Sequence, residues 1–148
     1  MATNNLNFGF NNKKRFTIDG DENRVIELDT SDVGVVSRLE KSVDKITALQ
    51  EKQDELTKLS EDENTALDFT KLFSEIETDM RGIIDEIFDT PVCDAILGNS
   101  SVFSPVNGRY KFEQLIETLL DQYGKDISAE AKKINKSKVA AKTAQYKK

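Results

Sequence analysis

The side chains that usually carry chemistry are scarce in this chain of 148 residues, which has no histidine and one cysteine, Cys93. Without histidine the commonest general base and metal ligand is missing. Ser-His-Asp and Cys-His nucleophiles are excluded, and one cysteine cannot build a zinc site of nitrogen and sulfur ligands within one chain. No Gly-x-x-x-x-Gly-Lys or Gly-x-Gly-x-x-Gly phosphate loop occurs. Carboxylates are plentiful. Asp85, Glu86 and Asp89 cluster near the end of an apolar helix, a trio suited to magnesium or to glycoside chemistry. A solvated helix end accounts for them more simply. Asp19, Asp21 and Asn23 match the first, third and fifth positions of a calcium-binding EF-hand loop. The glycine and glutamate that such a loop needs are replaced by Arg24 and Thr30, so this stretch reads as a turn. The expectation is therefore no enzyme, no metal and no cofactor, which leaves binding.

The elements that must position a binding surface centre on Phe69 to Phe88. Phe69, Leu72, Phe73, Ile76, Met80, Ile83, Ile84, Ile87 and Phe88 step by threes and fours, the spacing of one broad apolar helical stripe that must be buried against something. Phe112, Leu115, Ile116, Leu119, Leu120 and Tyr123 make a second stripe, on a helix predicted over Arg109 to Tyr123 with Gly124 at its end. Upstream, Phe16 and Ile18 alternate with polar residues, as do Ile26 and Leu28, across a turn containing Asp19-Gly20. That pattern predicts a β-hairpin, and two strands alone need a helix or another chain to pack on. The fold expected is mainly α: a small helical domain, residues 14–127, with an N-terminal β-hairpin packed on or beside a helical bundle. Residues 1–13 are expected to form a flexible arm, and residues 128–148 a basic, poorly ordered tail.

Between hairpin and central helix, Asp29-Thr-Ser-Asp32 offers N-caps for a helix from about Asp32 to Leu59. Val36, Leu39, Val43 and Ile46 fall on alternating a and d positions of a heptad. The next two positions are Gln50 and Gln53, and the apolar seam resumes at Leu49, Leu56 and Leu59. Such a three-residue jump overwinds a continuous coiled coil. The first half is expected to pack in the domain, and the second half, Gln50 to Ser60, to project, fray or cross to a neighbouring subunit. Ser60 to Thr65 is an acidic connector. Thr90-Pro91 stops the central helix, a short helix ends near Gly98, and Asn99 to Gly108 is read as a loop.

Net charge is −6, unevenly spread: residues 128–148 hold seven lysines and one glutamate, leaving −12 on the first 127. An acidic body argues against nucleic-acid binding there, since phosphate contacts need a basic face. No apolar run is long enough to span a membrane, and the start of the chain lacks the basic and apolar regions of a signal peptide. With Cys93 unable to form an internal disulfide, a reducing compartment is expected.

Certain of these residues resemble a family. Leu28-Asp-Thr-Ser-Asp32 after a hairpin, a long charged helix, Ile84-Asp-Glu-Ile-Phe88, Ala95-Ile-Leu-Gly98 and Phe112-Glu-Gln-Leu115 look like the tail assembly chaperones of siphophages infecting Gram-positive bacteria. Asp89-Thr-Pro-Val92 stands where that family often has Gly-x-Gly-Thr. The resemblance spans about residues 14–127. It implies a protein of the infected cell's cytoplasm that binds the phage tape measure protein and keeps it soluble during tail assembly. The candidate partner-binding residues are Phe69, Phe73, Ile76, Met80, Ile83, Ile87, Phe112, Leu115, Ile116 and Leu119. A homo-oligomer through the Asp32–Leu59 helix or the hairpin edge is a further expectation. The alternatives are a structural virion component, such as a connector or minor tail protein, and a small acidic inhibitor of a host protein.

Overall fold

The computed structural model describes residues 3–59 and 66–146, with side chains placed for 3–58 and 69–137. The order of elements is β1 (Lys14–Ile18), β2 (Asp21–Leu28), α1 (Gly34–Leu59), α2 (Ala66–Phe88), α3 (Cys93–Leu97), β3 (Pro105–Val106), β4 (Arg109–Tyr110) and α4 (Lys111–Tyr146). The fold is mainly α with an N-terminal hairpin. The acidic connector Ser60 to Thr65 lies outside the described residues.

The hairpin forms because Asp19 (φ 52°) and Gly20 (φ 75°) both take the left-handed conformation that a tight two-residue reversal requires. Phe16 pairs with Ile26 and Lys14 with Leu28, and the register shifts between Thr17 and Ile18. Alternation then sends Ile26 and Leu28 into the core while Glu27 faces water. Long side chains fasten the hairpin down. Arg24 donates from Nε to the Ala95 carbonyl (2.8 Å) and from Nη2 to the Ile96 carbonyl, satisfying the C-terminal end of α3. At the other end of the strands, Lys14 lies 3.3 Å from the Asp126 carboxylate on α4. The buried Thr30 hydroxyl donates to the same carboxylate.

Helices α1 and α2 pack antiparallel. Asp32 caps α1, its Oδ1 accepting from the Gly34 amide at 2.9 Å. That hydrogen bond, opposed by partial burial and helped by the Arg38 guanidinium, holds the Asp32 carboxyl below the usual range. Arg38 also donates from Nε to the Ile87 carbonyl (2.7 Å), fixing the start of α1 to the end of α2. Met80, Ile84, Ile87 and Phe88 from α2 form the centre of the core with Val92, Cys93, Val102, Leu119 and Tyr123. Phe103 is edge-on to Phe112 (5.8 Å) and to Tyr110 (6.1 Å), and Phe88 meets Tyr123 at 5.8 Å, so aromatic contacts join α2, the 99–110 segment and α4.

Three sequence expectations are corrected. Asn99 to Gly108 is not wholly a loop: Asn107 and Gly108, both at positive φ, turn a two-residue hairpin that pairs Val106 with Arg109. The last helix begins at Lys111 and does not stop at Gly124; it runs to Tyr146. A glycine at a solvated helix position costs only about 1 kcal/mol, and the alanines, lysines and glutamate beyond it favour continuation. The third correction concerns α1 and bears on the candidate site.

Candidate functional site

Two apolar stripes overlap on α1, and the fold chooses between them. Val35, Ser42, Leu49 and Leu56 are buried. Leu39, Ile46 and Gln53 are half-buried beside them. These seven residues are one uninterrupted heptad seam with alternating steps of four and three, so the jump expected from the sequence does not occur. The other stripe faces outward: Val36 is 62% exposed and Val43 48%, and Val33 before the helix is 64% exposed. The chosen register runs the whole helix because it takes in Leu49 and Leu56, at the cost of burying Ser42. That cost is small, since the Ser42 hydroxyl donates to the Arg38 carbonyl at 2.8 Å.

Charge is sorted about the same axis. At 100° per residue, Glu40, Asp44, Glu51, Asp54 and Glu55 fall on or beyond the valine stripe, with Lys58 the one cation among them. Arg38, Lys41, Lys45 and Lys52 fall on the opposite flank. There Lys45 and Lys52 share a groove with Asp79 and Glu86 of α2, so those lysines face acids of the neighbouring helix. The far end of the acidic flank touches the second hairpin through the Tyr110 hydroxyl, 3.3 Å from Asp54 Oδ1. Thus α1 presents water with an apolar ribbon edged by carboxylates. Leu6, Phe8 and Phe10 on the N-terminal arm are also exposed, and the base of the arm is held near α1 by Asn12 donating to the Ser31 hydroxyl at 2.8 Å.

The ten candidate partner-binding residues lie elsewhere. Ile76, Met80, Ile87, Phe112, Leu115 and Leu119 are buried, and Phe69, Phe73, Ile83 and Ile116 are half-buried against them. The chain's own core covers most of this surface, with Met80 and Ile87 at 0% exposure, while Leu72 of the same stripe is 47% exposed. The outward valines of α1 carried a detectable signal, the clash of two heptad registers.

Polar clusters are occupied structurally. An open hollow of about 630 Å³ between α2 and the 98–101 segment is lined by Glu77, Arg81, Asp94 and Ser101. Arg81 spends its donors there on Glu77 (3.0 Å), Asp94 (2.6 Å) and the carbonyls of Gly98 (3.2 Å) and Ser100 (2.7 Å). Glu77 in turn accepts from the Ser101 hydroxyl (2.6 Å) and the Val102 amide (3.0 Å). A guanidinium so bound is a clamp, with little left for a ligand. Asp85, one of the acidic trio, accepts from the amides of Val92 (2.8 Å) and Cys93 (3.0 Å) and so caps α3. It is a structural cap, not part of a solvated end. Burial, with Asp85 nearby, pushes the Cys93 thiol far up and away from reactivity. Among the described residues no group of three or more acids or cysteines is arranged to hold a metal ion, and no helix is long and apolar enough to cross a membrane.

Nothing among protein-family models, curated proteins or solved structures matches this chain. The site therefore rests on its own geometry.

Proposed function

We propose that the protein is an assembly factor of the tail-chaperone kind, holding an amphipathic helical segment of a phage tape measure protein on α1 in the cytoplasm of the infected bacterium. The observation that supports this reading is the apolar ribbon Val33, Val36 and Val43, continuous with half-buried Leu39 and Ile46 and bordered by five carboxylates. An amphipathic helix docks by laying apolar residues at i, i+3, i+4 and i+7 along such a face. The surface differs from the Phe69–Phe88 stripe because Ile76, Met80, Ile84, Ile87 and Phe88 of that stripe are spent on folding. The acidic rim favours a partner with basic flanks and keeps the loaded complex soluble.

Co-expression with the tape measure protein tests this. The wild-type chain is expected to raise the partner's soluble fraction and to co-purify with it, and the Val36→Glu/Val43→Glu double variant to do neither while folding normally. An unchanged soluble fraction with the wild-type chain refutes the reading. Proteomics of purified virions distinguishes the structural-component alternative: a chaperone is expected to be absent from them.

A further inference from the structure

The projecting half of α4 has the complementary properties. The buried stripe of this helix does not end where the body ends. Tyr123 is buried and Ile127 half-buried, and Ile134, seven positions on, lies on the same face yet is 55% exposed. Every residue from 128 to 137 is exposed, so the helix leaves the body and its stripe continues without a partner. The net charge of residues 128–148 is +6, from seven lysines and one glutamate. Lys133 borders the Ile134 stripe, and Lys132 and Lys136 lie behind it.

On α1, Val36 and Val43 are seven positions apart, two turns or about 10.5 Å along the axis; on α4, Ile134 is the large apolar residue left exposed past the core, Ile127 being packed against it. The acids edging that ribbon number five. They disfavour two copies pairing α1 against α1, because like charges would be brought together. Within one copy neither surface covers the other, since both are exposed. We infer that the basic half of α4 from one copy packs along the valine ribbon of α1 in a second copy. The partner is a second molecule of this chain, recognised by the exposed Ile134 against the valine ribbon and by opposite charge. Because this is the face proposed above for the tape measure segment, self-association would be its resting state and cargo would have to displace the tail. That regulatory role rests on the proposed function; the self-association itself does not.

Sedimentation velocity and light scattering of the full chain at low and high salt test the inference. Self-association is expected, with a dissociation constant rising on the order of tenfold between about 50 and 300 mM salt, because the Debye length shortens across that range. Val36→Glu/Val43→Glu and Ile134→Glu, all at exposed positions, are each expected to give monomers that melt like the wild type at concentrations where it too is monomeric. An equimolar mixture of the two variants keeps one intact face and one intact tail, so it is expected to restore a one-to-one dimer. A monomeric wild-type chain at low salt, variants that associate like wild type, or a mixture that stays monomeric overturns the inference. If self-association fails while tape measure solubilisation persists, this inference falls and the proposed function stands; the reverse outcome separates them the other way.

Discussion

Adjacent valines on α1 should answer oppositely to one substitution. Val35 is 1% exposed and Val36 62% exposed. Val35→Ala deletes two methyl groups from an enclosed site, removing their transfer free energy and leaving a small cavity. The expected loss is about 2 kcal/mol, which for a domain of this size lowers the melting temperature by about 6 °C. Val36→Ala deletes the same atoms from water and replaces a β-branched residue by the best helix former. It is expected to be neutral or stabilising by up to about 0.5 kcal/mol. Urea unfolding followed by circular dichroism, at protein concentrations low enough to keep association out of the measured stability, gives both numbers. Equal losses at the two positions would mean that the outward ribbon is not free, and the binding surface argued from it would fall with that result.

Other expectations concern the polar framework. Arg81→Met leaves two carbonyls and the Glu77 carboxylate short of a donor, so unfolding should become easier by about 3 kcal/mol; Arg81→Lys should recover less than half, because an ammonium cannot reach all four acceptors in one plane. Asp85→Ala removes the acceptor of two α3 amides and should cost about 1 kcal/mol in the same urea measurement, against a few tenths for Glu86→Ala, whose side chain is exposed. Asp126 is held below the ordinary carboxyl range, first by the Thr30 hydroxyl and then by Gln122 and Lys14, and Asp32 is similarly depressed by the Gly34 amide. Depressed carboxyls contribute stability at neutral pH that is lost as pH falls through their folded-state values, so Asp32→Asn/Asp126→Asn should flatten the acid side of the stability profile measured below about pH 4. Cys93, 0% exposed with its thiol titration pushed upward, should resist a thiol reagent in the native chain and react on denaturation.

The sequence made the two broad stripes legible because α2 and α4 alternate apolar and polar residues without ambiguity. Met80, Ile84 and Ile87 are core as the spacing required. The hairpin was equally plain from Asp19-Gly20 between alternating strands. On α1 the apolar count misled: Val36 and Val43 outscore Ser42 and Gln53, yet only the register containing the two polar residues runs unbroken to Leu56. Ser42 is tolerated by a backbone hydrogen bond that composition does not reveal. The Asn107-Gly108 turn went unread because its strands are two residues long, too short for any alternation to register. The clamps made by Arg24 and Arg81 reach 71 and 19 positions along the chain, and no local spacing encodes contacts of that kind. For the binding surface, helix spacing spoke to which residues are apolar, while which of them folding leaves uncovered was decided only by packing.

Helix α4 leaves the body just past Ile127, three residues beyond Gly124, because Asp126 is still tied to Thr30 and Lys14 and Ile127 is half-buried against the core. From there to Tyr146 the helix extends about 29 Å. The folded body supplies the nucleus for that extension, so the outer turns escape the initiation penalty that an isolated peptide of this composition meets. The arrangement works as a boom stepped on a fixed base. A bend of about 20° just past Ile127 sweeps the far end through roughly 10 Å, about the diameter of a helix, enough to bring a neighbour's groove within or out of reach.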